Sequence, residues 1–203
     1  MVIERATGEP LETVYRRLFF EPAQMHSATL VSATPRPGDA VGHFRPRTTD
    51  PWRQCPDLNS GFGAAGGLIM TAQDLVRWNR LLLGGALLPA ADIEAMRTPA
   101  RLNNGESAPI GMGIASLGPS VGWGAAGQTV NFAAFNAVYA SGYEVVLLAN
   151  GSNEQRDAAY PRMRLAAQIH NAVHPSAPVP LPDAPAAEPG EPAAMQLLLA
   201  RCR

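Results

Sequence analysis

The chain has no lysine: all 16 of its positive residues are arginine. No lysine amine of this polypeptide can therefore serve as a base or form a Schiff base. Cysteine is nearly absent too. Cys55 and Cys202 stand far apart without metal-ligand spacing, so neither a zinc site nor a structural disulfide is expected from them. No apolar run approaches the roughly 20 residues that a membrane span needs. A formal net charge of -1 leaves no electrostatic footprint for nucleic acid. Met1 to Arg5 shows neither a basic n-region nor an apolar h-region, so no signal peptide is visible and the compartment stays open. None of the nine serines sits in Gly-x-Ser-x-Gly, which leaves an α/β-hydrolase elbow unsupported.

What is present is enough to fold. With 203 residues, 46% of them hydrophobic, the chain is one ordinary domain or a large part of one. Its central stretch runs from Gly122 to Asn150, GWGAAGQTVNFAAFNAVYASGYEVVLLAN. Two runs rich in β-formers, Thr129 to Tyr139 and Tyr143 to Ala149, meet at Ala140-Ser141-Gly142, and together they read as a β-hairpin. The second run is apolar on both strand faces, the pattern of a central strand covered by helices. The small residues Gly122 to Gly127 let another backbone, or a ligand, come close, which makes this stretch the expected wall of a site.

Around it the chain alternates helices and loops. Met1 to Thr7, closed by Gly8, reads as the last turns of a helix, so a segment in front of it is expected. Pro10 suits the first turn of a second helix, with Leu11, Val14, Tyr15, Leu18 and Phe19 on one face. From Pro22 to Asn59 a loop-like excursion is expected, in which Trp52 and His43 either border a cleft or simply pack. Thr71 and Asp74 resemble a capping box in its Asp variant, before a helix carrying Leu75, Trp78, Leu81 and Leu82. The glycines ahead of it lack the Lys-Ser or Lys-Thr of a phosphate loop. Pro89 to Arg97 makes a short helix, Ile110 to Leu117 a strand joining the hairpin's sheet, and Glu154 to Val173 a last helix. His170 and His174 lie four apart on it, but no glutamate or third ligand accompanies them, so a solvated helix end is the default. Tyr139-Ala140-Ser141 falls in the hairpin turn and reads as cross-strand packing. From 175 to 203 the composition turns rich in Pro and Ala, as in a disordered tail, with a helical turn or two around Met195 to Ala200.

Three pieces together resemble the serine β-lactamase-like family, which includes class C β-lactamases, DD-peptidase penicillin-binding proteins and related esterases. Val2 to Met25 is similar to the family's helix-glycine-helix segment, ending in a Pro-Leu-Gly-Met-like element that is here Pro22-Ala23-Gln24-Met25. Ala64 to Leu88, AAGGLIMTAQDLVRWNRLLLGGALL, matches a Gly-Gly-Leu-x-x-Thr-x-x-Asp-Leu segment and is the most specific of the three. The hairpin ending in Ala149-Asn150 is the third.

The resemblance implies an α+β fold, an antiparallel sheet packed against helices. It also implies that residues 1–174 form an incomplete β-lactamase/transpeptidase-like domain lacking its N-terminal portion. Such a piece would leave apolar faces uncovered, and poor solubility or a molten character is expected of it. The implied chemistry is acyl transfer on a small amide or ester by a serine nucleophile, with no cofactor and no metal, in a family often periplasmic or secreted. The family's Ser-x-x-Lys and Tyr-x-Asn motifs are absent from this chain, so no catalytic residue is present. Its third motif, a Lys-Thr-Gly or His-x-Gly on a strand edging the site, falls on Ala125, Ala126, Gly127 and Gln128. Ala125 then replaces the basic residue, and the backbone N–H of Gln128 is left as one of two oxyanion donors. Inactivity of this chain follows, with a non-catalytic binding module using the old cleft as the alternative.

Overall fold

A computed structural model describes residues 2–30, 36–45, 49–55, 63–118, 120–129, 131–153 and 159–183. Helix α1 (Val2–Thr7) stops at Gly8, whose φ of +73° suits glycine, and Pro10 stands at the N-cap of α2 (Leu11–Tyr15). The expected second helix does not run straight on. It widens into a π-helical turn, Arg16–Phe20, which advances the inward face by about one residue. Phe20 is buried with Leu11 and Val14, while Leu18, expected inside, is 42% exposed. Phe20 packs with Met25 and Ala28 against Tyr15, Phe19 and Trp78. Gln24 takes φ +56°, at the position where the resembling family element has glycine.

The excursion after Pro22 is less loop-like than its prolines suggest. It contains β1 (Thr29–Leu30), β2 (His43–Arg45) and β3 (Arg53–Gln54). β1 pairs antiparallel with β4 (Leu68–Ile69), and β2 lies between β3 and β9 (Gly151–Asn153), parallel to the latter. Cys55 is buried and disulfide-bonded, which corrects the expectation drawn from sequence separation; Cys202 lies outside the described residues.

Helix α3 (Ala72–Leu83) opens with half a capping box. Thr71 Oγ1 accepts from the Asp74 N–H at 3.2 Å, but the Asp74 carboxylate does not return the bond. Ser27 does so instead: its Oγ accepts from the Thr71 N–H at 3.0 Å, and Asp74 Oδ2 accepts from the Ser27 N–H at 2.8 Å and from its hydroxyl at 2.5 Å. Arg77 adds an ion pair at 2.6 Å. Burial alone would raise the Asp74 carboxyl, but the Ser27 and Arg77 bonds outweigh it and hold the acid below its ordinary value. The cap thus pins residue 27 to the helix start, which no local pattern shows. Helix α4 (Ala90–Arg97) follows, and Ile93 packs with Leu82, Ile114 and Trp123.

The main sheet has the order β5-β6-β7-β8, all antiparallel: β5 (Ala115–Ser116), β6 (Gly122–Gln128), β7 (Ala133–Tyr139) and β8 (Glu144–Ala149). The hairpin is therefore β7 and β8, with Gly142 at φ +87° in its turn, and Thr129, whose N–H donates to Phe132 O, lies between β6 and β7 rather than at the start of a strand. β7 is the spine. One face, with Phe135, Ala137 and Tyr139, packs with Val145 against Ala166 of α5 (Ala159–Val173). The other face carries Asn136, whose carboxamide exchanges two hydrogen bonds with that of buried Asn79 on α3, at 2.9 and 2.7 Å. Asn79 also donates to Glu144 Oε2 at 2.8 Å.

Two expectations change here. β8, read as a central strand, is the edge of its sheet among the described residues. Its apolar character on both faces belongs to an interior position, yet no strand among the described residues lies beyond it. Uncovered apolar surface is present as expected, with Leu148 at 43% and Leu165 and Val173 of α5 at 47% and 56%. In the interior the buried amides of Asn79 and Asn136 are paired with each other. Residues 175–183 run back along α5: Asn171 bonds both backbone groups of Val179, and Arg164 donates to Pro182 O. Residues 154–158, read as helix, and 184–203, read as tail with its turns at 195–200, lie outside the described residues.

Replacing Asn79 by Ala leaves the Asn136 amide buried without its partner. The expected loss is about 1–3 kcal/mol, read as a lower urea midpoint; an unchanged midpoint would contradict the assigned role.

Candidate active-site wall

Strand β6 is built from residues almost without side chains, and its glycines have two different reasons. A Cβ on Gly124 would stand 2.2 Å from the Asn136 carbonyl oxygen, and one on Gly122 would stand 2.3 Å from that of Val138. These two are required by the neighbouring backbone of β7. Gly127 is different: a Cβ there would meet nothing within 4 Å. The chain's own packing does not require glycine at that point, so the space beside it is open.

Backbone direction follows from the printed bonds. The Ala140 N–H donates to Val121 O and the Thr129 N–H to Phe132 O, so odd-numbered residues of β6 turn their backbone groups toward β7. Even-numbered ones turn the other way, as Gly122 O does in accepting from the Leu117 N–H. β5 is short and pairs only with Trp123 and Gly124. The N–H groups of Ala126 and Gln128 therefore point past its end, along the open side of the sheet.

Side chains divide between the two sheet faces. Ala125 shares a face with Trp123 and with its register partner Asn136, the face that α3 covers. It is exposed and brings no charge. Ala126 and Gln128 lie on the α5 face, where Gln128 Oε1 accepts from Arg162 at 3.3 Å. Arg162 was not singled out from sequence. Its guanidinium is half-buried, desolvation lowers its pKa, and its Nε has no hydrogen-bond partner among the described residues. The nearest sequence signal is its place just after Pro161 at a helix start, which by itself names no role. The four residues expected to edge the site are thus contiguous on one open strand, with a cation beside them.

The other candidates belong to packing. His170 is fully buried, not on a solvated helix end; its Nε2 lies 2.8 Å from Ser141 Oγ and its ring packs tilted against that of Tyr139, centroids 4.3 Å apart. Among the described residues no group of three potential ligands could hold a metal ion. Burial pushes the Tyr139 phenol up to about 12, which unsuits it as a base. Trp52 lies under the Arg45 guanidinium, 4.4 Å from its ring centre, and covers Gly151. Among the described residues no helix is long and apolar enough to cross a membrane.

The β-lactamase family model matches residues 1–168. The chain belongs to the β-lactamase family. PbpX of Bacillus subtilis (strain 168), named as a candidate penicillin-binding protein, is 30% identical over 158 residues, 77% of this chain and 38% of its own length. A D-stereospecific amidohydrolase from Streptomyces sp. superposes with a TM-score of 0.58 at 26% identity, covering 75% of this chain and 46% of that one. For D-amino acid amidase from Ochrobactrum anthropi SV3 the TM-score is 0.66 at 22% identity, over 85% of this chain and 55% of that one, a likeness that speaks to the fold alone. This β-lactamase-family chain spans about half the length, or less, of these relatives.

The glycines separate the two demands on β6. Gly124→Ala is expected to cost about 1–3 kcal/mol by overpacking against backbone, whereas Gly127→Ala should stay within about 0.5 kcal/mol. Urea midpoints of the two variants test this, and equal losses would contradict the distinction.

Proposed function

We propose that this chain forms one wall of an acyl-transfer site for amide or ester hydrolysis through an acyl-enzyme, and that it is inactive by itself. The observation that carries the proposal is the open edge of β6 from Ala125 to Gln128. There Gly127 leaves room, and the backbone N–H of Gln128 is aimed away from the sheet. In this reading that N–H is one oxyanion donor, and a backbone donor survives the loss of the neighbouring basic side chain at Ala125. The second donor and the attacking hydroxyl come from outside these 203 residues, since the sequence holds no lysine and no Tyr-x-Asn. Arg162 supplies positive charge for the anionic end of a substrate. A relative named as a D-stereospecific amidohydrolase favours an amide.

A second reading rests on Ala125 itself. With no basic side chain at that position, the cleft can hold a ligand or partner without turning it over. DNA upstream of the Met1 codon separates the two. An in-frame Ser-x-x-Lys followed by Tyr-x-Asn is the expected result for a hydrolase, and their absence would overturn that reading in favour of the binding module.

A further inference from the structure

We propose that Cys55 is bonded to Cys202 of the same chain, and that this disulfide is a redox-sensitive staple holding the C-terminal end beside the connection between β6 and β7. Cys55 is disulfide-bonded and fully buried, and no free cysteine stands among the described residues. The sequence holds one other cysteine, Cys202. Full burial shuts out the sulfur of a second copy, so the partner comes from within the chain.

Cys55 sits at a junction. Its N–H donates to Gly42 O at 2.8 Å, and its carbonyl accepts from Nδ2 of Asn131, which is fully buried between β6 and β7. A Cβ on Gly42 would stand 2.6 Å from Cγ of that amide, so residues 42, 55 and 131 are packed together without slack. Asn131 follows closely on Gln128, the last residue of β6. The course of residues 175–183 points to the same place independently. Val179 is held by Asn171 and Pro182 by Arg164, so this segment runs toward the start of α5, where Arg162 bonds Gln128. The chain from Asp183 to Cys202, at up to about 3.3–3.6 Å per residue, is long enough to reach Cys55 from there.

Closing the staple takes two thiols and a disulfide oxidant such as oxidised glutathione. The Cys55–Cys202 S–S bond forms, the oxidant's S–S bond breaks, and both protons and both electrons end on its two thiols. The staple therefore holds in oxidising surroundings and opens where thiols are kept reduced. Because it joins positions far apart in sequence, it restricts the unfolded chain strongly, and opening it lowers stability.

The whole chain, refolded with oxidised glutathione, tests this. It should keep the 21.5 kDa mass of one copy without reductant, and iodoacetamide in urea should leave both cysteines unmodified until a reductant is added. Tryptic digestion without reduction should yield peptide 54–77 carrying Cys202-Arg203. The urea midpoint should fall on reduction, and Cys202→Ser should show the reduced midpoint already, with no further response to reductant. Should that variant misfold, the digest of the unaltered chain decides. Alkylation of both cysteines before reduction, Cys55 linked to a second copy, or a midpoint that reduction leaves unchanged would overturn the proposal.

Discussion

Two carboxamides, those of Asn79 on α3 and Asn136 on β7, face each other in the interior and satisfy one another completely along one edge. An amide buried without a partner costs about as much as a whole small-domain side-chain contact, of order 1–3 kcal/mol, so the pair fixes where α3 can sit on the sheet. Much else depends on that seat. The start of α3 is tied through Asp74 and Thr71 to Ser27, and thereby to the helices that precede it. Its far half holds Leu82 against Ile93 and Ile114, beside Trp123 of β6. The position of the candidate site wall is therefore set by a polar contact made one strand away.

That same contact explains what the amino-acid sequence could and could not convey. The N-cap at Thr71, the turn at Gly142, the helix that ends at Val173 and the strand near Ala115 all follow from local spacing, and each is found. Asn79 and Asn136 are separated by 57 positions and leave no periodic sign. Ser27 closing the capping box of a helix 44 residues on is equally invisible, as is the π-helical turn that swaps Leu18 for Phe20. Of the candidate site, small residues from Gly122 to Gly127 marked a strand open to close approach, while the four positions Ala125 to Gln128 followed from the family resemblance. Arg162 was not, because a helical arginine gains meaning only from what lies beside it.

The reading of β8 shows a different kind of mismatch. Its side chains are those of a covered, central strand, and the prediction of a central place followed correctly from them. Among the described residues it nevertheless stands at the edge. Strand chemistry and strand position disagree there, and the disagreement lies at the outer boundary of the sheet rather than inside it. β6 poses the complementary case: its open side is lined by alanine and glycine, with little apolar surface to hide, and its backbone is what it offers.

In the proposed function this chain would bring an oxyanion donor and a cation but no nucleophile. Incubating the purified 203-residue chain with a fluorescent penicillin and separating it under denaturing conditions tests that most directly. No covalent label is expected, since Ser-x-x-Lys and Tyr-x-Asn are both missing; a label that survives denaturation would contradict it.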